Sequence, residues 1–162
     1  MTDQQLHHVL NHLPSIGIAI GFFALLVGMF LRKKGTALTG AWIILLAAIT
    51  VLPADQTGEE AEETVEDIAG VNHDQIHEHE EAAERAIPFT IAAGILALAY
   101  LLSSWKRPAW SNYLGIATGI AAAVAIYLLI VTSHEGGLIR HPELGTTQVA
   151  APAAGGEGDD DD

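Results

Sequence analysis

Long apolar stretches alternate with polar segments along this chain. Four stretches contain no charged residue, and they cover residues 13–31, 37–54, 86–105 and 111–133. At about 1.5 Å per helical residue, each of them spans roughly 27 Å or more, which matches the hydrocarbon core of a bilayer. The stretches are continuously apolar, whereas membrane-spanning strands alternate apolar and polar positions. The pattern therefore predicts an all-α fold, a bundle of four transmembrane helices.

Charged residues are divided between the two ends of these helices. The connectors after the first and third helices contain five of the seven basic residues, whereas all twenty acidic residues lie at the opposite end. We call the two ends of the bundle the basic end and the acidic end. Because basic connectors stay in the cytoplasm, the acidic end and both termini are expected outside. Three tryptophans lie near the basic end, where interfacial aromatic anchors are usual, namely Trp42, Trp105 and Trp110.

The rest of the chain divides into a connector and a tail. We expect a membrane domain over residues 1–145 and a disordered acidic tail over residues 146–162, which is rich in Ala, Gly and Asp. The acidic connector after the second helix is expected to be partly helical. Pro53 is expected to end the second helix, Thr57 to cap a short acidic helix, and a helical pattern from about His73 to continue into the third span.

Composition excludes several classes of site. The chain has no cysteine, which excludes disulfides, thiolate metal sites and iron–sulfur clusters. Seven basic residues against twenty acidic ones argue against nucleic-acid binding. The chain contains no nucleophile–base motif or phosphate-binding loop, so an enzyme acting on soluble substrates is not favoured.

Histidine is the distinctive residue type, because all eight histidines lie at the acidic end. They precede the first span, precede the third span, or follow the fourth, and these helix ends are neighbours in a four-helix bundle. Imidazole and carboxylate groups together suit a transition metal better than calcium. The pattern predicts a site for zinc, iron or copper, or for a b-type haem held near the surface by two histidines.

Three histidines are the strongest candidates. His12 adjoins the apolar stretch, where a polar side chain needs a partner. His141 follows the pair Gly136 and Gly137, which is expected to let the chain turn back over the bundle. His7, His73 and His77 are expected to be plain surface residues. The predicted ligands are His12, His79, His141, Glu62 and Glu80, and further candidates are His8, His134, Glu59, Glu63, Arg140 and Glu143.

Several segments resemble a group of small bacterial four-helix membrane proteins that is catalogued as a domain of unknown function. They are residues 10–17 (LNHLPSIG), 57–63 (TGEEAEE), 70–71, 79–83 (HEEAA) and 136–143 (GGLIRHPE), of which the last is the most specific. The resemblance covers residues 5–145 and implies a four-helix membrane fold without an established activity. It implies recurring polar positions at His12, Glu59, Glu62, Glu63, His79, Glu80, Arg140, His141 and Glu143, whereas His134 and Glu135 depart from the group. With the predicted topology, it indicates a multi-pass protein of the bacterial inner membrane.

The sequence leaves several functions open. The first is a metal- or haem-binding membrane protein. The second is a subunit or anchor of a respiratory or envelope complex, whose acidic loop and tail dock a basic periplasmic protein. A transporter is less favoured, because the spans have no ionisable residue near the bilayer midplane, and the histidines also permit a pH-sensing role. Two small-residue faces, Gly17-x-x-x-Gly21 and Gly115-x-x-x-Gly119, permit close packing within the bundle or in a homo-oligomer.

Overall fold

The computed structural model describes residues 7, 9–65 and 73–141, and nearly all of these residues are helical. Two of the helices, which meet at Thr50, form one span over Lys34–Ala61, so that the described part of the chain contains four spans long and apolar enough to cross a membrane. The predicted all-α four-helix membrane bundle is confirmed. The helices are α1 (His12–Phe30), α2 (Lys34–Ile49), α3 (Val51–Val65), α4 (His73–Lys106) and α5 (Pro108–Arg140).

The helices pack in chain order around the bundle. The span formed by α2 and α3 contacts α1 on one side and α4 on the other, and α5 contacts both α4 and α1. The chain therefore consists of two antiparallel hairpins, α1 with α2–α3 and α4 with α5. Both hairpins begin at the acidic end, so that the histidines before α1 and those at the start of α4 belong to the same end of the bundle.

Large apolar side chains cover the outside of the bundle, and small ones fill its interior. Phe23, Ile120 and Tyr127 are 62%, 63% and 67% exposed, whereas Ala93 and Ala125 are fully buried. In water a surface of this kind would drive association. In a bilayer it is expected, because lipid tails are as apolar as leucine and helices associate through small residues. The distribution is that of an integral membrane protein.

Glycines allow α1 and α2 to pack closely. A Cβ atom added at Gly17 would lie 2.6 Å from the Ala47 Cβ, and one at Gly21 would lie 2.7 Å from the Ile44 side chain. The Gly17–Gly21 face is therefore used inside the bundle. Gly115 on α5 likewise lies against Met29 of α1 and Tyr100 of α4.

The acidic connector begins as a direct continuation of the second span. Pro53 lies in the first turn of α3, so the prediction that it ends the second helix is wrong. A proline costs little there, because the first turn of a helix has N–H groups without intrahelical acceptors. Thr57 is not a helix cap, since its hydroxyl donates to the carbonyls of Pro53 and Ala54 inside α3.

The helices of the second hairpin also extend further than the apolar stretches. α4 begins at His73, as predicted, and runs for 34 residues. The turn predicted at Gly136 and Gly137 is wrong, because α5 continues through both glycines to Arg140. Glycine lowers helix stability by roughly 0.5–1 kcal/mol relative to alanine, but a Cβ atom at Gly136 would lie 3.0 Å from Cε1 of His79.

Candidate functional site at the acidic end

Two histidines join helices to one another at the acidic end. The Nδ1 atom of His79 on α4 donates a hydrogen bond of 2.9 Å to the carbonyl of Thr132 on α5. The Nδ1 atom of His7, before α1, donates a bond of 3.0 Å to the carbonyl of Ala54 on α3. A carbonyl oxygen can only accept, so each imidazole carries its proton on Nδ1 when it is neutral. The two bonds tie the first helix of each hairpin to the second.

Each of these imidazoles lies on a glycine four residues after the carbonyl it binds. A Cβ atom at Gly136 would lie 3.0 Å from Cε1 of His79, and one at Gly58 would lie 3.1 Å from Cε1 of His7. Helical side chains tilt toward the N-terminus, so the residue at i+4 covers the carbonyl of residue i. Glycine at this position leaves the carbonyl open to an outside donor. The contact therefore needs both the histidine and the glycine.

The two contacts are equivalent within the two hairpins. In each case the histidine belongs to the first helix or its approach, and the carbonyl and glycine belong to the outer part of the second span. The two hairpins begin on the same side of the bundle, which is the arrangement that parallel repeats have in membrane proteins. The sequence interpretation missed this arrangement and assigned His7 to the plain surface, although His7 is half-buried. The sequence signal that could have shown it is a glycine toward the end of the second span of each hairpin, Gly58 in the first and Gly136 in the second.

The other predicted ligands lie apart from these contacts. His12 is the exposed first residue of α1, and its carbonyl accepts a bond of 3.2 Å from the Ser15 hydroxyl. His79 is half-buried. The remaining described candidates are exposed, namely His134, His141, Glu59 and Glu80.

The described residues do not form a metal centre. Within residues 7, 9–65 and 73–141, no group of three or more His, Asp and Glu side chains is placed to hold a metal ion. The structure therefore does not bring His12, His79 and His141 together as ligands. Five candidates lie outside this comparison. The structure does not describe the side chains of Glu62, Glu63 and Arg140, and it does not describe His8 and Glu143 at all.

Asn11 is half-buried beside His12, for which the sequence predicted a need for a partner. The side-chain oxygen Oδ1 of Asn11 is buried and has no hydrogen-bond partner in the described part of the chain. His12, one residue later, points its ring to the exposed surface. The buried polar atom at the start of α1 is thus the side-chain oxygen of Asn11.

The exposed face of α4 carries a short network of ion pairs. Nη2 of Arg85 lies 2.9 Å from a Glu81 carboxylate oxygen. Two nitrogens of His77 lie 3.4 Å and 3.7 Å from Glu81 and Glu80 and form ion pairs when the ring is protonated. Exposed pairs of this kind contribute about 0–1 kcal/mol. They shape the surface charge more than they stabilise the fold.

Two of the segments that resemble the bacterial four-helix group contact each other at this end of the structure. His79 lies in one of them and Gly136 in another, and the two residues are in contact. Neither the family models, nor the curated proteins, nor the solved structures offer a match to this chain, so membership of that group stays a prediction.

Proposed function

We propose that this protein is a membrane subunit without catalytic activity that docks a basic partner on its acidic end. One observation carries the proposal: the acidic residues that the structure describes lie on helices that continue out of the membrane spans. α4 begins at His73, thirteen residues before the apolar stretch that starts at Ala86. At 1.5 Å per residue, this extension is about 20 Å long. The acidic connector thus presents a helical surface on the α4 side.

The extension of α4 is held in place along its inner side. Ile76 and Ala82 are buried, and the His79 imidazole is bonded to α5 between them. A partner therefore meets carboxylates that are already ordered, which lowers the entropy cost of binding. The acidic side chains exposed on α3 and α4 are Glu59, Glu60, Asp74, Glu78, Glu80, Glu81 and Glu84.

The charge of this surface determines the class of partner. Arg85 is the single Lys or Arg among the described side chains of the acidic end, and it is engaged with Glu81. A surface of one sign attracts a basic protein over long distances and raises its association rate. With the acidic end outside, the partner is a basic periplasmic protein, such as a c-type cytochrome, or a basic subunit of a respiratory or envelope complex.

Association kinetics test this proposal. The full-length protein in nanodiscs is presented with a basic c-type cytochrome as the probe, at about 20 mM and about 300 mM salt. We expect binding at low salt, with an association rate that falls at least tenfold at high salt. The variant Glu78→Gln with Glu84→Gln removes two exposed charges from α4, and it should lower the low-salt rate roughly threefold to tenfold.

A variant of the tail provides the matched control. Asp160→Asn with Asp161→Asn removes the same charge from the chain terminus and should change the rate less than the α4 variant. Equal effects of the two variants would assign the attraction to net charge and contradict a docking surface on α4. Absence of binding at low salt, or binding that salt does not change, would also contradict the proposal.

A transition-metal or b-type haem site is the second candidate, and the His79 contact gives it specific support. Donation from Nδ1 leaves Nε2 of the neutral ring with its lone pair, and metal-bound histidines commonly donate their second nitrogen to a backbone carbonyl in this way. Zinc, iron or copper would need further donors from residues outside the described groups, such as Glu62 or Glu143. Haem is less well supported, because helices that contact through alanine and glycine lie too close together to admit a macrocycle.

Elemental analysis separates this candidate from the first. The protein purified in detergent should contain stoichiometric metal, or absorb as a haem protein, and His79→Ala should lose that metal. His77→Ala is the matched control, since His77 is exposed and contacts only the carboxylates of its own helix. A colourless, metal-free preparation would leave the docking function alone.

A further inference from the structure

A groove opens at the basic end of the bundle, at the turn between α4 and α5. Its volume is about 380 Å³. Two cations stand at the groove, an indole lies beside them, and leucine side chains form part of its walls. The lining residues are Leu102, Ser103, Lys106, Arg107, Trp110 and Leu114.

The two cations of this groove have no acidic neighbour among the residues that the structure describes. Lys106 and Arg107 are exposed and adjacent in sequence, and every acidic residue of the chain lies before residue 85 or after residue 134. Along α4 the nearest acidic residue, Glu84, is more than twenty residues from Lys106, roughly 30 Å at 1.5 Å per residue. Within the described part of the chain, the groove therefore has a net positive charge that no carboxylate neutralises.

Lys34, a neighbouring lysine, differs from these two cations because its ammonium group is already hydrogen-bonded within the chain. Lys34 lines a second groove of about 220 Å³, but its Nζ donates a bond of 3.0 Å to the Ser104 carbonyl. That ammonium group is used to join α2 to α4. The hydroxyl of Ser103 in the larger groove donates to the Tyr100 carbonyl. Lys106 and Arg107 are thus the groups of the larger groove that remain to meet a ligand.

We propose that the larger groove binds an anionic phospholipid from the surrounding bilayer. The headgroup phosphate contacts Lys106 and Arg107, and an acyl chain lies along Leu102 and Leu114. Basic pockets between membrane helices bind anionic headgroups, and tryptophan prefers the same depth, at the boundary between headgroups and acyl chains. Trp110 is 62% exposed beside the groove, which places it to cover the glycerol region of the lipid.

Charge complementarity and the apolar walls together select a lipid as the ligand. A free phosphate ion would meet the two cations but would leave the leucine walls uncovered. A zwitterionic lipid would fill the walls but would bring a cation toward Lys106 and Arg107. A phospholipid with net negative charge satisfies both parts of the groove.

Native mass spectrometry of the delipidated full-length protein tests this inference. The protein is titrated with phosphatidylglycerol or with phosphatidylcholine of the same acyl chains. We expect phosphatidylglycerol to bind roughly twenty-five-fold more tightly, since each of the two basic residues contributes about fivefold for an anionic lipid near a membrane surface. Lys106→Gln alone should lower the preference about fivefold, and Lys106→Gln with Arg107→Gln should abolish it.

Three controls make the outcome decisive. Lys33→Gln removes a charge from the other basic connector, outside the groove, and should keep the preference. The exchange Lys106→Arg with Arg107→Lys keeps both charges and should also keep it. Inorganic phosphate at about ten times the lipid concentration should not displace the lipid, because a free ion gains nothing from the apolar walls. Equal binding of the two lipids, an unchanged preference in the glutamine variants, or displacement by phosphate would each overturn the inference.

Discussion

His79 and Gly136 are in direct contact across the second hairpin, with the imidazole of one helix lying on the backbone of the other. A Cβ atom at position 136 would stand 3.0 Å from Cε1 and 3.2 Å from Nδ1 of the ring. The same ring donates its Nδ1 proton to the Thr132 carbonyl. The sequence indicated a turn at Gly136 and Gly137. In the structure, Gly136 instead packs against the His79 ring. Gly137 has nothing within 4 Å of the position a Cβ would take.

This difference between adjacent glycines predicts different effects of the same substitution. Gly137→Ala should keep or raise stability, because alanine favours helix by about 1 kcal/mol over glycine. Gly136→Ala gains the same propensity but displaces the imidazole and weakens its hydrogen bond, which contributes about 1 kcal/mol. Gly136→Ala should therefore be about 1–2 kcal/mol less stable than Gly137→Ala in detergent, as measured by thermal unfolding followed by circular dichroism. Equal stability of the two variants would show that the His79 contact does not stabilise the bundle.

The first hairpin should respond through its own histidine. Gly58→Ala places a methyl group about 3.1 Å from Cε1 of His7 and should lower stability by about 1 kcal/mol relative to Gly35→Ala, where the added methyl meets open space. In a His7→Ala background the effect of Gly58→Ala should disappear, since both substitutions remove the same contact. A double-mutant cycle on unfolding free energies measures this coupling. Additive effects of the two substitutions on the unfolding free energy would show that Gly58 and His7 do not interact.

The four spans followed from the sequence because continuous apolarity over a bilayer thickness has few other structural solutions. The ends of the helices did not. Proline in a first turn and proline after a last turn produce the same pattern, so Pro53 was assigned to the wrong side of a boundary. Gly136 was read as a turn signal because an isolated helix gains nothing from glycine. Its advantage appears only when another helix supplies His79.

The hydrogen bonds of His7 and His79 lie at the acidic end, to which the sequence assigned every histidine, but the sequence did not show what each histidine contacts. The segregation of histidines from the basic connectors is a property of the sequence and places them together by topology alone. Which histidine reaches a neighbouring helix depends on the rotation of α4 against α5. Hydropathy does not fix that rotation, because both helices are apolar around most of their circumference within the membrane. Hence His79 was selected for metal binding and His7 for the surface, although the two make equivalent contacts.

Close packing between α1 and α2 predicts a position that does not tolerate a side chain. A Cβ atom at Gly40 would lie 2.6 Å from the Gly21 carbonyl oxygen and 2.8 Å from the Leu25 Cα, and backbone atoms cannot move aside without separating the helices. Gly40→Ala should lower stability by about 1–3 kcal/mol, the usual range for overpacking, whereas Gly35→Ala in the first turn of α2 should not. The yield of monodisperse protein after heating in detergent checks both variants. Wild-type behaviour of Gly40→Ala would contradict the helix packing described for the first hairpin.

The proposal of a periplasmic partner depends on the predicted orientation of the bundle, with its acidic end outside the cytoplasm. The chain contains no cysteine, so a single cysteine introduced at an exposed position reports its own side of the membrane without background. Cysteine in place of Glu78 at the acidic end should react with a membrane-impermeant maleimide in spheroplasts, whose outer surface alone is accessible. Cysteine in place of Gly35 at the basic end should react only after the membrane is opened with detergent. The five basic residues of the two short connectors predict this result, because cytoplasmic loops carry an excess of basic residues. If position 35 is labelled in spheroplasts and position 78 is protected, the acidic helices face the cytoplasm. The basic partner would then have to be a cytoplasmic protein.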